Sequence, residues 1–398
     1  MQTRKPDFLI IGAGIFGVAT AIELRKRQHT VMIINPDQIP HPLAASTDIS
    51  KVVRMEYGTD TFYMEMANKC IDGWKAWNEL FNDTLYHEIG YLLVCKQPLD
   101  ADEESYEGAS YRNLLKRSFK PERLDAETIQ KRFPAFKDAD YVDGFYHARA
   151  GFTEASRSVT ALVNYARQLG VEVYERQTAD ELVRENGKIS CVKTREGERF
   201  EAGNFVVCAG PYTPYLVPEL KPYFQASGHP VFHVKPSQPE LFTPPNFAVF
   251  AGDISRSGWY GFPLHPREGV VKIANHGVGL RLHPEKDERV VTEEDTQKFR
   301  AFLRETIPAL ANDPIVFTRR CVYADTLDGH FWIDSHPDIK NLTIGAGGSG
   351  HGLKMGPEIG KLIATAAEGG DDKWLARFRW RRLTDETQQE EEARFLNR

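Results

Sequence analysis

The chain has 398 residues, 41% of them hydrophobic and 27% charged. These are globular proportions that exclude a disordered, collagen-like or disulfide-scaffold protein. Its 50 basic and 56 acidic residues leave a formal charge of −6, which gives no electrostatic footprint for nucleic acid. Five widely spaced cysteines (Cys70, Cys95, Cys191, Cys208 and Cys321) include no CxxC pair. That spacing argues against a disulfide framework or a zinc ribbon, so no metal site is expected, and it fits a reducing, intracellular compartment.

Residues 8–11 form a continuous apolar run, as expected of a strand covered on both faces in a parallel sheet. The turn Gly12-Ala13-Gly14-Ile15-Phe16-Gly17 follows, then a helical stretch over 18–27 and a second apolar strand over 29–34. This is a βαβ unit with a GxGxxG turn: Gly12 permits the tight bend, Gly14 lets backbone approach a pyrophosphate, and Gly17 lets helix pack on strand. The acidic residue usual after the second strand is replaced by Asn35, with Asp37 two residues on, and either could meet a ribose hydroxyl. The stretch 8–24 is too short and too interrupted by glycine to span a bilayer, and it lacks the order of a signal peptide. Phe395-Leu396-Asn397-Arg398 carries no peroxisomal tripeptide, so a cytoplasmic protein is expected.

Further along, residues 156–169 read as a helix, 171–174 as a strand, and 179–192 as a hairpin turning at Glu185-Asn186-Gly187. Strands are expected at 205–209 and 342–344, and a helix at 357–368. The intervening regions are rich in proline, aromatics and alternating strands, for example 259–263 and 270–275. The expected fold is therefore α/β: a Rossmann-type nucleotide-binding domain built from residues 1–78, 144–216 and 321–398. A mostly antiparallel, α+β substrate domain from 79–143 and 217–320 is inserted in it. The acidic run 390–392 reads as a solvated helix end. The GxGxxG turn alone leaves NAD and FAD equally open.

Five stretches carry a resemblance that decides between them: GAGIFG at 12–17, DISKVVRMEYG at 48–58, YGFPLHPREGVVKIANH at 260–276, CVYADTLDGHFWIDSHP at 321–337 and GAGGSGHGLK at 345–354. In this order they resemble the monomeric sarcosine oxidase group of flavin amine oxidases. That group lies within the D-amino-acid-oxidase-like superfamily, whose fungal fructosyl amino acid, pipecolate and saccharopine oxidases share the layout. The resemblance implies FAD as cofactor, joined through a thioether from Cys321 to its 8α-methyl. Gly12, Gly14, Ile15, Phe16, Gly17, Asn35, Ser46, Thr47, Lys51, Gly350, His351, Gly352 and Lys354 would complete the cofactor site. It places Lys272 near flavin N5, where a cation would stabilise negative charge developing on oxygen. His276 and Tyr260 would line the substrate pocket, and Arg54 with Lys354 would clamp a substrate carboxylate. Lys51 replaces an arginine of the bacterial enzymes, keeping charge but losing the planar fork. The activity implied is oxidation of a secondary amine on a carboxylated carbon to an imine, with hydrogen peroxide formed from oxygen. The partners are a small amine and oxygen, with no membrane and no nucleic acid, in a monomer. The alternatives are a fructosyl amino acid oxidase or a pipecolate or saccharopine oxidase within the same class, and a flavin dehydrogenase using an acceptor other than oxygen.

Overall fold

The computed structural model describes residues 5–102, 104–384 and 391–394. Among these, Phe8–Ile11, Val31–Asn35, Glu172–Glu175, Asn204–Val207, Trp332–Ser335 and Leu342–Ala346 form a six-stranded sheet. All its pairs are parallel except that of Trp332–Ser335 with Leu342–Ala346. Strands from the beginning, middle and end of the chain thus meet in one sheet.

Strand periodicity explains the unbroken apolar run at its centre. Phe8 and Ile10 join a core with Val18, Ile22 and Leu24 of the helix Ile15–Lys26 and with Ile359 and Ile363 of the helix Gly356–Ala367. Leu9 and Ile11 join a different core with Leu182, Ile189 and Val192. Those residues belong to a three-stranded sheet of Ala179–Glu185, Lys188–Thr194 and Arg199–Phe200 that covers the opposite face. Both faces are dry, so neither needs a polar residue.

A second, nine-stranded sheet contains Tyr91–Cys95, Glu122–Asp125, Asp143–His147, Phe224–Val234, Val249–Gly252, Trp259–Leu264, Val271–Asn275, Leu280–Arg281 and Ile315–Thr326. Its pairs are antiparallel except for Val249–Gly252 beside Tyr91–Cys95. Its own core is aromatic, with Phe232 stacked on Phe299 at a ring separation of 4.0 Å. Burying a side chain of that size contributes roughly 1.5–3 kcal/mol. Ile315–Thr326 pairs with Phe224–Val234 along its whole length, so position 321 lies inside a strand. A small sheet of Lys51–Val53, Tyr86–His87 and Gly151–Thr153 carries Lys51.

Candidate active site

A cleft of about 580 Å³ is lined by Gly12, Gly14, Ile15 and Phe16 together with Gly347, Gly348, Gly350 and Gly352. Its first turn is set by two steric facts. Gly12 has φ of +102°, and a Cβ there would lie 2.5 Å from the carbonyl oxygen of Cys208; a Cβ on Gly17 would fall 1.9 Å from that of Gly12. Neither position tolerates a side chain. The helix that follows has Gly14 as its N-cap with no side-chain capping bond and no acidic residue in its first turn. It therefore offers a positive dipole end to an anion, which fits the pyrophosphate of a dinucleotide.

Asn35 is drawn into this turn. Its Oδ1 accepts from the Ala13 N–H at 3.0 Å and its Nδ2 donates to the Asp37 carbonyl at 2.8 Å. Asn35 lines the cleft, as do Ser46 and Thr47, whereas Asp37 does not. Ser46 Oγ accepts from the Ile15 N–H at 3.1 Å, and Thr47 Oγ1 donates to the His41 carbonyl at 2.6 Å. These side chains brace the loop against the glycine turn.

Next to Lys51, which lines this cleft, charges gather around Asp48, which is almost fully buried. Lys272 Nζ donates to Asp48 Oδ2 at 2.7 Å and also to the Ser50 carbonyl, while Lys51 Nζ stands 3.6 Å from Asp48 Oδ2. Burial would raise the Asp48 carboxyl, but Lys272, His233 and Lys51 hold it well below its ordinary value. Burial brings Lys272 down to about 8 against the pull of Asp48. Lys51 Nζ is also 3.4 Å from Cys321 Sγ. Burial opposes ionisation of that thiol, yet Lys51, Arg319 and Lys272 bring it below its ordinary value. Burial raises Cys208 well above its ordinary value, so the two cysteines are chemically unlike.

Beside this cluster is a small cavity of about 60 Å³ lined by Lys51, Arg54, Tyr91, Tyr260, His276, Tyr323, Gly350, His351, Lys354 and Glu391. Arg54 is buried over the rings of Tyr57, Tyr91 and Tyr106, at 5.2, 5.9 and 5.6 Å. Burial works against its charge, but Tyr106, Glu391 and Tyr91 hold it well above its ordinary value. Lys354 Nζ lies 4.6 Å above the Tyr57 ring; burial and then Arg54 bring it to about 7. His351 lies between Tyr57 Oη, 3.1 Å from Nδ1, and the Gly329 carbonyl, 3.1 Å from Nε2. Burial lowers it to about 3, so it is a neutral ring donating from Nε2. His276 is likewise lowered by burial, though Glu391 opposes this. Tyr260 is raised by burial and opposed by Lys51.

The expected residues therefore converge, with differences. Lys272 and Cys321 are not cavity walls: Cys321 touches Lys51, and Lys272 is joined to Lys51 through Asp48. The two-residue strand period would put Lys272 and His276 on one face. His276, however, lies one residue beyond Val271–Asn275, its N–H bonded to the Gly258 carbonyl at 2.7 Å. Lys272 turns to Asp48 and His276 to Glu391. Two functional groups escaped the sequence reading. Asp48 stands in the same motif as Lys51 and Arg54, and a lone acid three residues from Lys51 was its only signal.

Glu391 overturns the expectation for the acidic run. Glu391 and Glu392 lie in no helix, and the Glu391 carboxylate is buried in the cavity wall rather than solvated. Nothing local distinguishes it from a surface glutamate. Glu390 and the terminal Phe395-Leu396-Asn397-Arg398 lie outside the described residues. Among the described residues, no group of three or more His, Cys, Asp or Glu is placed to hold a metal ion, and no helix is long and apolar enough to cross a membrane.

Residues 7–366 match the protein-family profile described as FAD dependent oxidoreductase. The L-saccharopine oxidase of Schizosaccharomyces pombe is 28% identical, over 94% of this chain and 92% of its own. The peroxisomal sarcosine oxidase of Mus musculus is 29% identical, over 91% and 92%. Among solved structures, the deglycating fructosamine oxidase (Amadoriase II) of Aspergillus fumigatus in complex with FSA superposes with a TM-score of 0.83 at 25% identity. That match covers all of this chain and 94% of the other.

Proposed function

The chain belongs to the FAD dependent oxidoreductase family, and we propose that it oxidises secondary amines attached to a carboxylated carbon, with oxygen as electron acceptor. Bound FAD would supply the acceptor for a hydride equivalent from the carbon beside nitrogen, with oxygen then reduced to hydrogen peroxide and the imine hydrolysed by water. The glycine turn and helix N-terminus at Gly12–Gly17 would hold its pyrophosphate, and residues 345–352 its other end. Cys321 would anchor it through a thioether, since Lys51 Nζ at 3.4 Å favours the thiolate that such a bond requires.

The chain's own groups do the rest. Arg54 and Lys354 bind the substrate carboxylate and fix the reacting carbon in a dehydrated pocket, where each charge-assisted bond is stronger than in water. His276, neutral near pH 7 because burial lowers it, and Tyr260 orient the amine and leave it unprotonated. Lys272, on its Asp48 support, supplies the positive charge that favours electron transfer to oxygen. No side chain is needed to abstract the carbon-bound proton.

The observation that carries this reading is the convergence of Arg54 and Lys354 in one cavity with Lys51, which also lines the dinucleotide cleft and contacts Cys321. The test is Arg54→Ala, assayed with N-methyl amino acids and their methyl esters. Removing the cation should raise KM for the acids by about 100-fold or more, by analogy with breaking a buried ion pair, and for the esters by much less. Equal loss on both would exclude a carboxylate clamp. A bulkier N-substituent, of saccharopine or fructosyl amino acid type, is a second reading, favoured by the likeness to L-saccharopine oxidase and fructosamine oxidase. The protein would work as a cytoplasmic monomer, and its five buried, unpaired cysteines accord with a reducing compartment.

A further inference from the structure

The four residues Glu391–Arg394 each have an anchor. Glu391 Oε1 accepts from Arg54 Nη2 at 2.7 Å, and its Oε2 lies 3.1 Å from His276 Nε2. Glu392 accepts from the Thr59 N–H at 2.9 Å and from the Thr59 hydroxyl. Ala393 is fully buried. Arg394 Nη2 donates to Asp325 Oδ2 at 2.9 Å, and its guanidinium stands 5.7 Å from the Tyr323 ring.

This docking brings a carboxylate to the place where a substrate carboxylate is needed. Glu391 uses only half of the guanidinium fork: Arg54 Nη1 is buried and has no hydrogen-bond partner among the described residues. A planar guanidinium offers two parallel donors to a carboxylate, and Glu391, held through its own backbone and shared with His276, takes one. A free carboxylate entering the cavity could take both. With the pocket empty, Glu391 also keeps Arg54 from being an uncompensated buried charge, an arrangement that would be costly.

We propose that Glu391 is a resident carboxylate that competes with the substrate's carboxylate for Arg54, so that the C-terminal segment sets both substrate affinity and the preference for ligands able to engage the whole guanidinium. This rests on the substrate reading above, in which Arg54 receives a carboxylate. Occupation by substrate exchanges the Arg54–Glu391 bond for an Arg54–substrate bond and returns Glu391 to His276 alone. Only ion pairs and hydrogen bonds change hands.

The experiment is calorimetric titration of the purified holoenzyme with acetate, which has no amine and cannot be oxidised. It compares wild type, Glu391→Gln, Glu391→Ala and Arg54→Ala, each checked for retained flavin and a cooperative melting transition. The glutamine variant keeps the shape and removes the charge, so one folded variant suffices. Both Glu391 variants should bind acetate at least about 10-fold more tightly, equivalent to about 1.4 kcal/mol. KM for carboxylated amines should fall in parallel. Unchanged or weaker acetate binding in the Glu391 variants, with binding lost in Arg54→Ala, would overturn the competition while leaving the carboxylate clamp standing. Acetate binding indifferent to Arg54→Ala would remove the clamp itself, and this inference with it.

Discussion

Lys354 offers a test that can be worked through from its surroundings. Burial beside Arg54 brings its ammonium to about 7, so the site holds two cations at pH 6 and mostly one at pH 8.5. A carboxylate that binds between them favours the protonated lysine, which raises its pKa in the complex. The affinity that depends on Lys354 is therefore full below pH 7 and is lost as pH rises through it. With the free-protein value at about 7 and the bound value raised, the dissociation constant should rise by up to about 30-fold from pH 6 to pH 8.5, by proton linkage.

Neighbouring groups do not mimic this. Arg54 stays charged, Glu391 is held well below its ordinary value against burial by Arg54 and Lys354, and burial lowers His351 and His276. Lys272, at about 8, titrates in the same range but is tied to Asp48. The assay is the pH dependence of inhibition by acetate, in wild type and Lys354→Gln. The variant should bind acetate more weakly at pH 6 and lose the pH dependence. A slope that survives in Lys354→Gln would refute the assignment and transfer it to Lys272.

Three more predictions address the cofactor and oxygen. Lys51→Met removes the cation 3.4 Å from Cys321 Sγ; at an effective dielectric of about 20 that contact is worth about 5 kcal/mol before the offset from Asp48. Flavin retained in the acid-precipitated pellet should fall at least tenfold, and undiminished retention would remove Lys51 from thiol activation. Lys272→Met should slow reoxidation of the reduced flavin by oxygen by about 100-fold or more while sparing anaerobic reduction, read by stopped flow; equal loss in both half-reactions would contradict the oxygen role. Gly12→Ala, with φ of +102° and the Cys208 carbonyl in the way, should yield a protein without flavin absorbance, and a fully yellow variant would refute the steric account.

How much of this was legible in the sequence depended on whether the cause was local. The Phe8–Ile11 strand, the glycine turn and the Asn186-Gly187 hairpin follow from steric rules over a few residues, and they stand where the pattern puts them. The helix opens at Ile15, three residues before the expected start at 18, because Gly14 already serves as its N-cap. Lys51, Arg54, Tyr260, His276 and Lys354 were found through motif resemblance, and the fold then brought them to one cavity.

What a linear reading could not supply was pairing across the chain. The partner of Lys272 is 224 residues away at Asp48, and that of Arg54 is 337 residues away at Glu391. A glutamate in an acidic run carries no sign that it will be buried against an arginine. The strand period likewise predicted a shared face for Lys272 and His276, and the end of the strand at Asn275 released His276 to a different partner.

Anaerobic titration of the purified protein with an N-methyl amino acid, followed by admission of oxygen, addresses the central claim most directly. The flavin's visible band should bleach on substrate addition, return with oxygen, and release one hydrogen peroxide per amine consumed, while the matching methyl ester bleaches it far less readily. A protein without a visible flavin band, or a band unmoved by secondary amines bearing a carboxylate, would contradict it.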